Sequence, residues 1–302
     1  MSVATRVPMR ERAAATIVDL FHTDPSVAIV LADISVDHFA AALRLDPNRA
    51  VNVGIMEQSM VGVAAGFALE GFKPVVHTIA PFLAERALEQ LKLDFGYQRL
   101  GGLFFAIGGS YDRGVSGMTH HSPGDVAAVA TVPGMEVVVP GSPAETEALV
   151  RATYDNGRPT YLRTSEVENE SAHELAPGGL TPVRAGRELT VIVVGPMLDR
   201  TLAAVEGIDA TVLYATTVVP LDAVALAALA APAPEIVVVE PFHEGTLAAQ
   251  VAAALVHRLT RIASIGVPRR VISRYGTSEQ HDADLGLDAH GIRERIGSFL
   301  AS

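Results

Sequence analysis

The chain has no cysteine, which removes disulfides, thiolate metal sites and a cysteine nucleophile from consideration. Basic charge is in deficit. The 302 residues carry 23 Lys and Arg against 34 Asp and Glu, a formal net charge of −11, and this works against non-specific nucleic-acid binding and against anionic membranes. A phosphorylated ligand would therefore need arginines placed locally. No apolar run reaches membrane-spanning length before a charge breaks it, and MSVATRVPMRER at the amino terminus lacks an apolar signal core, so a soluble cytoplasmic protein is expected. The sequence also lacks a short-period repeat and a low-complexity tail.

What is present reads as an α/β protein. The length predicts about two domains. β-branched apolar runs alternate with helical stretches, the pattern of mainly parallel sheets flanked by helices on both faces. Strands are predicted at residues 27–31, 51–53, 74–79, 103–107, 135–139 and 159–163, and again at 189–195, 210–215 and 236–240. Alanine-rich helices are expected after Asp222 and Thr246. Residues 171–187 carry Pro and paired Gly without apolar periodicity, so they read as a linker between domains at 1–170 and 188–302.

The segment RAVNVGIMEQSMVGVAAGFALEG places one carboxylate, Glu57, at the opening of a helix rich in small residues, after a strand and the turn-permitting Gly54. A carboxyl buried there can share a proton with a ligand nitrogen. Equally, an acidic residue in a first helical turn is favoured by the helix dipole alone. The loop GGSYDRGVSGMTHHSPGD follows a strand, carries five glycines and brings His120 and His121 to the carboxyl end of the sheet, where open α/β sheets bind ligands. Glycine backbone there would let a ligand approach, although adjacent histidines are more often simply solvated. No zinc spacing accompanies them. Phe82 could stack on a flat heterocycle or belong to the core. Arg163, at a strand end, could clamp a phosphate or form a salt bridge.

In order, NVGIMEQSM, GFKPVVHTIAPFL, GVSGMTHHSPGDVAAVATVPGMEVVVPGSPAET, PTYLRTSE and DLGLDAHGI resemble the carboxy-terminal half of the transketolase family of thiamine diphosphate enzymes, over nearly the whole chain. The resemblance implies a pyrimidine-binding domain followed by a transketolase carboxy-terminal domain, as in the separate β chains of split transketolases. It implies transfer of a two-carbon ketol unit from a ketose, or ketose phosphate, to an aldose. By this likeness Glu57 bonds the aminopyrimidine ring and sets its tautomer, Phe82 and Ile55 lie against the cofactor, His120 contacts the donor, and Arg10 and Arg163 bind the acceptor phosphate. The family's diphosphate and magnesium motif, GDG with a downstream pair of asparagines, is missing here. The expected partner is therefore an α chain that holds the diphosphate and Mg, in an α2β2 assembly. Two loop positions depart from the family pattern. Ser116 stands where many members have an acidic residue, and Gly108 aligns with a family histidine, so an altered sugar substrate is expected. The alternatives are a 2-oxo acid dehydrogenase β subunit, a deoxyxylulose phosphate synthase-like acyloin-forming enzyme, and a non-catalytic structural subunit.

Overall fold

The computed structural model describes residues 7–302; residues 1–6 of the expected first domain lie outside that range. The first part runs α1 (Met9–Thr23), β1 (Val27–Leu31), α2 (Val36–Leu45), β2 (Ala50–Asn52), α3 (Glu57–Leu69), β3 (Lys73–Ile79), α4 (Leu88–Gln90), β4 (Gly102–Ile107), α5 (Asp125–Val129), β5 (Glu136–Val138), α6 (Pro143–Thr153) and β6 (Pro159–Arg163). Turns of π-helix, Phe82–Arg86 and Leu91–Tyr97, flank α4. The second part runs β7 (Leu180–Arg184), β8 (Leu189–Val194), α7 (Leu198–Ala204), β9 (Ala210–Ala215), β10 (Thr217–Val219), α8 (Ala223–Leu229), β11 (Glu235–His243), α9 (Ala248–Ala254), β12 (Arg261–Val267), α10 (Ser278–Leu285) and α11 (Ala289–Ala301).

These elements make two sheets, ordered β10-β5-β6-β4-β3-β1-β2 and β12-β11-β8-β9-β7. Pairing is parallel except at the edge strands β10 and β7. Every residue of β1, β4, β8 and β9 is buried, as continuous apolar runs covered on both faces should be. Local chemistry starts the helices: Ser142 accepts from the Glu145 amide with Pro143 following, Asp222 and Asp288 cap α8 and α11, and Thr277 with Gln280 forms a capping box on α10.

The linker reading of 171–187 is corrected by β7, which lies inside it and pairs antiparallel with β9. Its Pro182 is tolerable because β7 is an edge strand. The other edge strand of that sheet, β12, is not among the strands expected from sequence, since its first half is exposed or half-buried and lacks alternation. The halves are also joined more closely than two beads on a string. β10, from the second half of the chain, extends the first sheet beside β5, and one apolar cluster runs from Val30, Val76 and Phe104 to Ile192, Leu213 and Val238. The carboxyl ends of β1, β3, β4 and β6 bring the segments after Leu31, Ile79, Ile107 and Arg163 to a common edge.

Candidate active site

Gly54, at φ 78°, turns the chain between β2 and α3, and Glu57 then opens α3. Its side chain is 1% exposed, and its Oε2 accepts a hydrogen bond from Arg86 Nη1 at 2.6 Å. Its Oε1 is buried with no partner. An unsatisfied carboxylate oxygen away from water is costly and is uncommon in folded proteins. Arg86 also lies over the Phe82 ring, 4.2 Å from its centroid. His120 also meets that ring, edge-on at 5.4 Å and 68°. Thr119 Oγ1 is 2.9 Å from His120 Nδ1. Glu57, Arg86, Phe82 and His120 thus form one connected group drawn from α3, the π-helical turn and the glycine-rich loop. Around it Ile55, Met56, Val115 and Met118 are exposed, as is Ser116.

Arg10 lies in a second group. Its Nε and Nη2 donate to Ser35 Oγ at 3.2 and 2.9 Å, and Ser35 Oγ is 2.7 Å from His77 Nε2. His77 Nδ1 faces the Phe105 carbonyl at 2.9 Å. A carbonyl only accepts, so Nδ1 carries the proton and the Ser35 hydroxyl donates to Nε2. Burial pulls His77 down to about 3, keeping the ring neutral in this chain of bonds. Burial, then the like charge of Arg113, lowers Arg10. Arg113 pairs with Glu166 at 3.1 Å, and its Cγ stands 3.0 Å from where a Cβ on Gly108 would sit.

Arg163 does not fit the expectation of an acceptor-phosphate ligand. It is 1% exposed and forms a 2.8 Å ion pair with Asp125, itself 0% exposed. Its Nη2 donates to Ser110 Oγ and to the Pro241 carbonyl, so Nε and Nη2 are held within the fold. The glycines of the loop also serve a different purpose from the one expected. A Cβ on Gly109 would lie 2.5 Å from the Arg163 guanidinium carbon, on Gly114 2.7 Å from His281 Nε2, and on Gly117 2.5 Å from the Tyr275 ring. These glycines admit the chain's own side chains rather than a ligand. His121, read as a surface neighbour of His120, is buried against His281.

Sequence reasoning missed Arg86, Ser35, His77 and Arg113. Only Arg86 left a readable sign, its spacing of four residues from Phe82, which places the two side chains on one face of a helical turn. Two buried carboxyls also sit far from their usual range. Burial pushes Asp112 up to about 7 and Glu240 up to about 8, and backbone amides at Glu166, and at Gly245 and Leu247, offset this in part.

The family models "Transketolase, pyrimidine binding domain" and "Transketolase, C-terminal domain" match residues 5–170 and 178–292. The chain belongs to the transketolase family. This transketolase-family chain is 43% identical over 281 residues to the 33.6 kDa protein of the fasciation locus of Rhodococcoides fascians, covering 92% of this chain and 90% of that one. It is 30% identical over 300 residues to an apulose-4-phosphate transketolase subunit of Phocaeicola vulgatus, covering 94% and 95%. Its fold matches a split-gene transketolase solved as an inactive β4 tetramer with a TM-score of 0.84 and 26% identity, over 98% and 99% of the two chains. The family as a whole depends on thiamine diphosphate. No helix among the described residues is long and apolar enough to cross a membrane.

Proposed function

We propose that the chain is the β subunit of a split, thiamine diphosphate-dependent transketolase, which moves a two-carbon ketol unit from a ketose or ketose phosphate to an aldose when joined to a separate α chain. The observation that carries this reading is Glu57 Oε1, a buried acceptor lacking a donor, on a carboxylate joined through Arg86 to the Phe82 ring. The residues fit the aminopyrimidine half of the cofactor: a ring N–H would satisfy Oε1, and Phe82 would supply an aromatic surface. They do not supply the other half. The chain has no GDG and no adjacent asparagines, and among the described residues no three His, Cys, Asp or Glu side chains gather in a way that could hold a metal ion. Diphosphate and Mg are therefore assigned to the α chain, in an α2β2 assembly in the cytoplasm.

When bound, thiamine diphosphate supplies the carbon nucleophile and the electron sink for breaking and forming carbon–carbon bonds. The residues of this chain orient and protonate around it. Glu57 presents Oε1 to the ring, while Arg86 holds Oε2 and keeps the carboxylate from turning. Phe82 would pack beside the ring, and Ile55, exposed in the turn before α3, would add apolar surface to its site. Thr119 orients the His120 imidazole, which faces the donor's hydroxyl or carbonyl oxygen. Ser116 offers a hydroxyl where a charge is usual, and Arg10 with Ser35 remains the candidate for an acceptor phosphate. The first domain is taken as residues 1–170, and the second as 188–302 with β7 added. An exposed face of α3 built from Gly62, Val63, Gly66 and Leu69, with no atom within 4 Å of a Cβ on Gly66, would let the partner chain's backbone come close.

Calorimetry with thiamine diphosphate and Mg tests the reading, using the chain alone and then mixed with the α-like chain. Binding only in the mixture, followed by ketol transfer, is the expected result. Tight binding by the lone chain would overturn the divided site. Carbon dioxide release from pyruvate, or acyl transfer to a lipoyl domain, would replace ketol transfer with one of the alternative reactions.

A further inference from the structure

A cavity of about 520 Å³ opens between the end of the glycine-rich loop and the chain that leaves β12. We infer that it binds the phosphoryl group, or a similar doubly charged oxyanion, of a small molecule through Arg269, Arg270, His121 and His243. Neither Glu57 nor the Arg10 group lines it.

His121 is 3% exposed, lines this cavity, and has neither ring nitrogen hydrogen-bonded. A buried imidazole with two idle nitrogens calls for a polar occupant. His243 faces the same space. Its Nδ1 lies 3.1 Å from the Val267 carbonyl, so that nitrogen carries a proton and Nε2 is left for a ligand. In the neutral ring Nε2 accepts from a protonated phosphate oxygen; in the protonated ring it donates to an ionised one. Arg269 and Arg270 are exposed on the cavity wall and form no ion pair or side-chain hydrogen bond among the described residues. Nearby Arg274 and Arg295, by contrast, are engaged by Asp284 and Glu244. Two guanidinium groups without an ion pair, Arg269 feeling only the more distant charge of Glu240, in a chain of net charge −11 are suited to an oxyanion, whose geometry matches their paired donors. The one carboxylate in the lining is Glu85, which accepts a hydrogen bond from Ser122 Oγ at 3.3 Å. Thr119, next to His120, forms part of the wall, so an anion seated here would touch the loop that carries His120.

The test begins with the full chain alone, titrated with inorganic phosphate and followed by calorimetry and by the histidine ring resonances. Saturable binding that shifts His121 and His243 is expected. The exposed pair Arg269→Gln and Arg270→Gln should weaken it by roughly tenfold or more without affecting folding, whereas Arg10→Gln should leave it unchanged. Absence of saturable binding, equal affinity in the double variant, or shifts confined to His77 beside Arg10 would overturn the inference. In the assembled complex, phosphate that competes with a phosphorylated aldose but not with a neutral one, and loses that competition in the Arg269→Gln and Arg270→Gln variant, assigns the site to the acceptor's anionic arm. Phosphate that alters turnover without competing assigns it to an effector. Loss of phosphate binding on assembly would overturn the inference, because the partner chain then fills the cavity. None of the lone-chain measurements depends on transketolase activity, so the site and the proposed reaction can fail separately.

Discussion

Glu57 and Arg163 are each 1% exposed and each is bound to one opposite charge, and the surroundings of the two pairs are otherwise unlike. Arg163 faces a partner, Asp125, that is fully buried, and its Nη2 reaches Ser110 and the Pro241 carbonyl. Glu57 faces Arg86, which is 40% exposed, and keeps one oxygen idle. Burial of charge is common to structural and functional groups. What separates them here is that the partner of Arg163 is buried with it, whereas Glu57 keeps a buried oxygen without a donor beside a half-open arginine, an arrangement that is incomplete without a ligand.

Four substitutions would break or sharpen that contrast. The largest effect is expected from Glu57→Ala, which should lower ketol transfer by the assembled complex by roughly a thousandfold while circular dichroism and assembly remain normal. Unfolding instead would make Glu57 a structural residue like Arg163. Next comes Arg163→Met, which leaves Asp125 buried and uncompensated and should destabilise the chain by about 3–5 kcal/mol in urea unfolding. If the fold were unaffected and only the KM for a phosphorylated acceptor rose, Arg163 would return to the role of substrate ligand.

A smaller loss follows from Arg86→Gln, which removes a charge-assisted hydrogen bond and should weaken thiamine diphosphate binding by the complex by about ten- to a hundredfold. Arg86→Lys should recover part of it, and an unchanged cofactor affinity in both variants would show that Glu57 needs no support. The smallest effect near neutral pH, growing only under acid, belongs to His77, a third buried polar group whose bonds are complete. The folded chain keeps His77 neutral down to about 3, whereas the unfolded chain protonates it near its ordinary value of 6.5. Protonation therefore favours the unfolded state between those values, and stability is lost as pH falls through that window, by at most about 1.4 kcal/mol per pH unit. Unfolding midpoints of the wild type and His77→Gln should diverge across that range; parallel curves would refute the assignment.

The position of Glu57 was legible because strand, glycine turn and helix follow one another within a few residues, and local pattern is what a sequence displays most directly. The same holds for the central strands, whose apolar runs admit little alternative. The edge strands β7 and β12 were not legible, since an edge is half solvated and tolerates Pro and polar residues that weaken the pattern. The loop at 108–125 was recognisable as unusual, but its purpose was misread. Glycine leaves room for something, and the sequence does not say whether that is a ligand or, as at Gly109, Gly114 and Gly117, the side chains of Arg163, His281 and Tyr275.

By itself the sequence determined the two-part α/β plan, the exclusion of cysteine chemistry, the place of Glu57 at a helix start, and the absence of the GDG and paired-asparagine motif. Each of these is a matter of residue identity or short-range spacing. Only the tertiary structure decided that Arg86 occupies one oxygen of Glu57, that Asp125 pairs with Arg163, and that His121 lines a cavity beside two arginines without ion pairs. Those facts depend on side chains brought together from separate elements, and hydrogen bonding and burial are properties of that juxtaposition rather than of any residue alone.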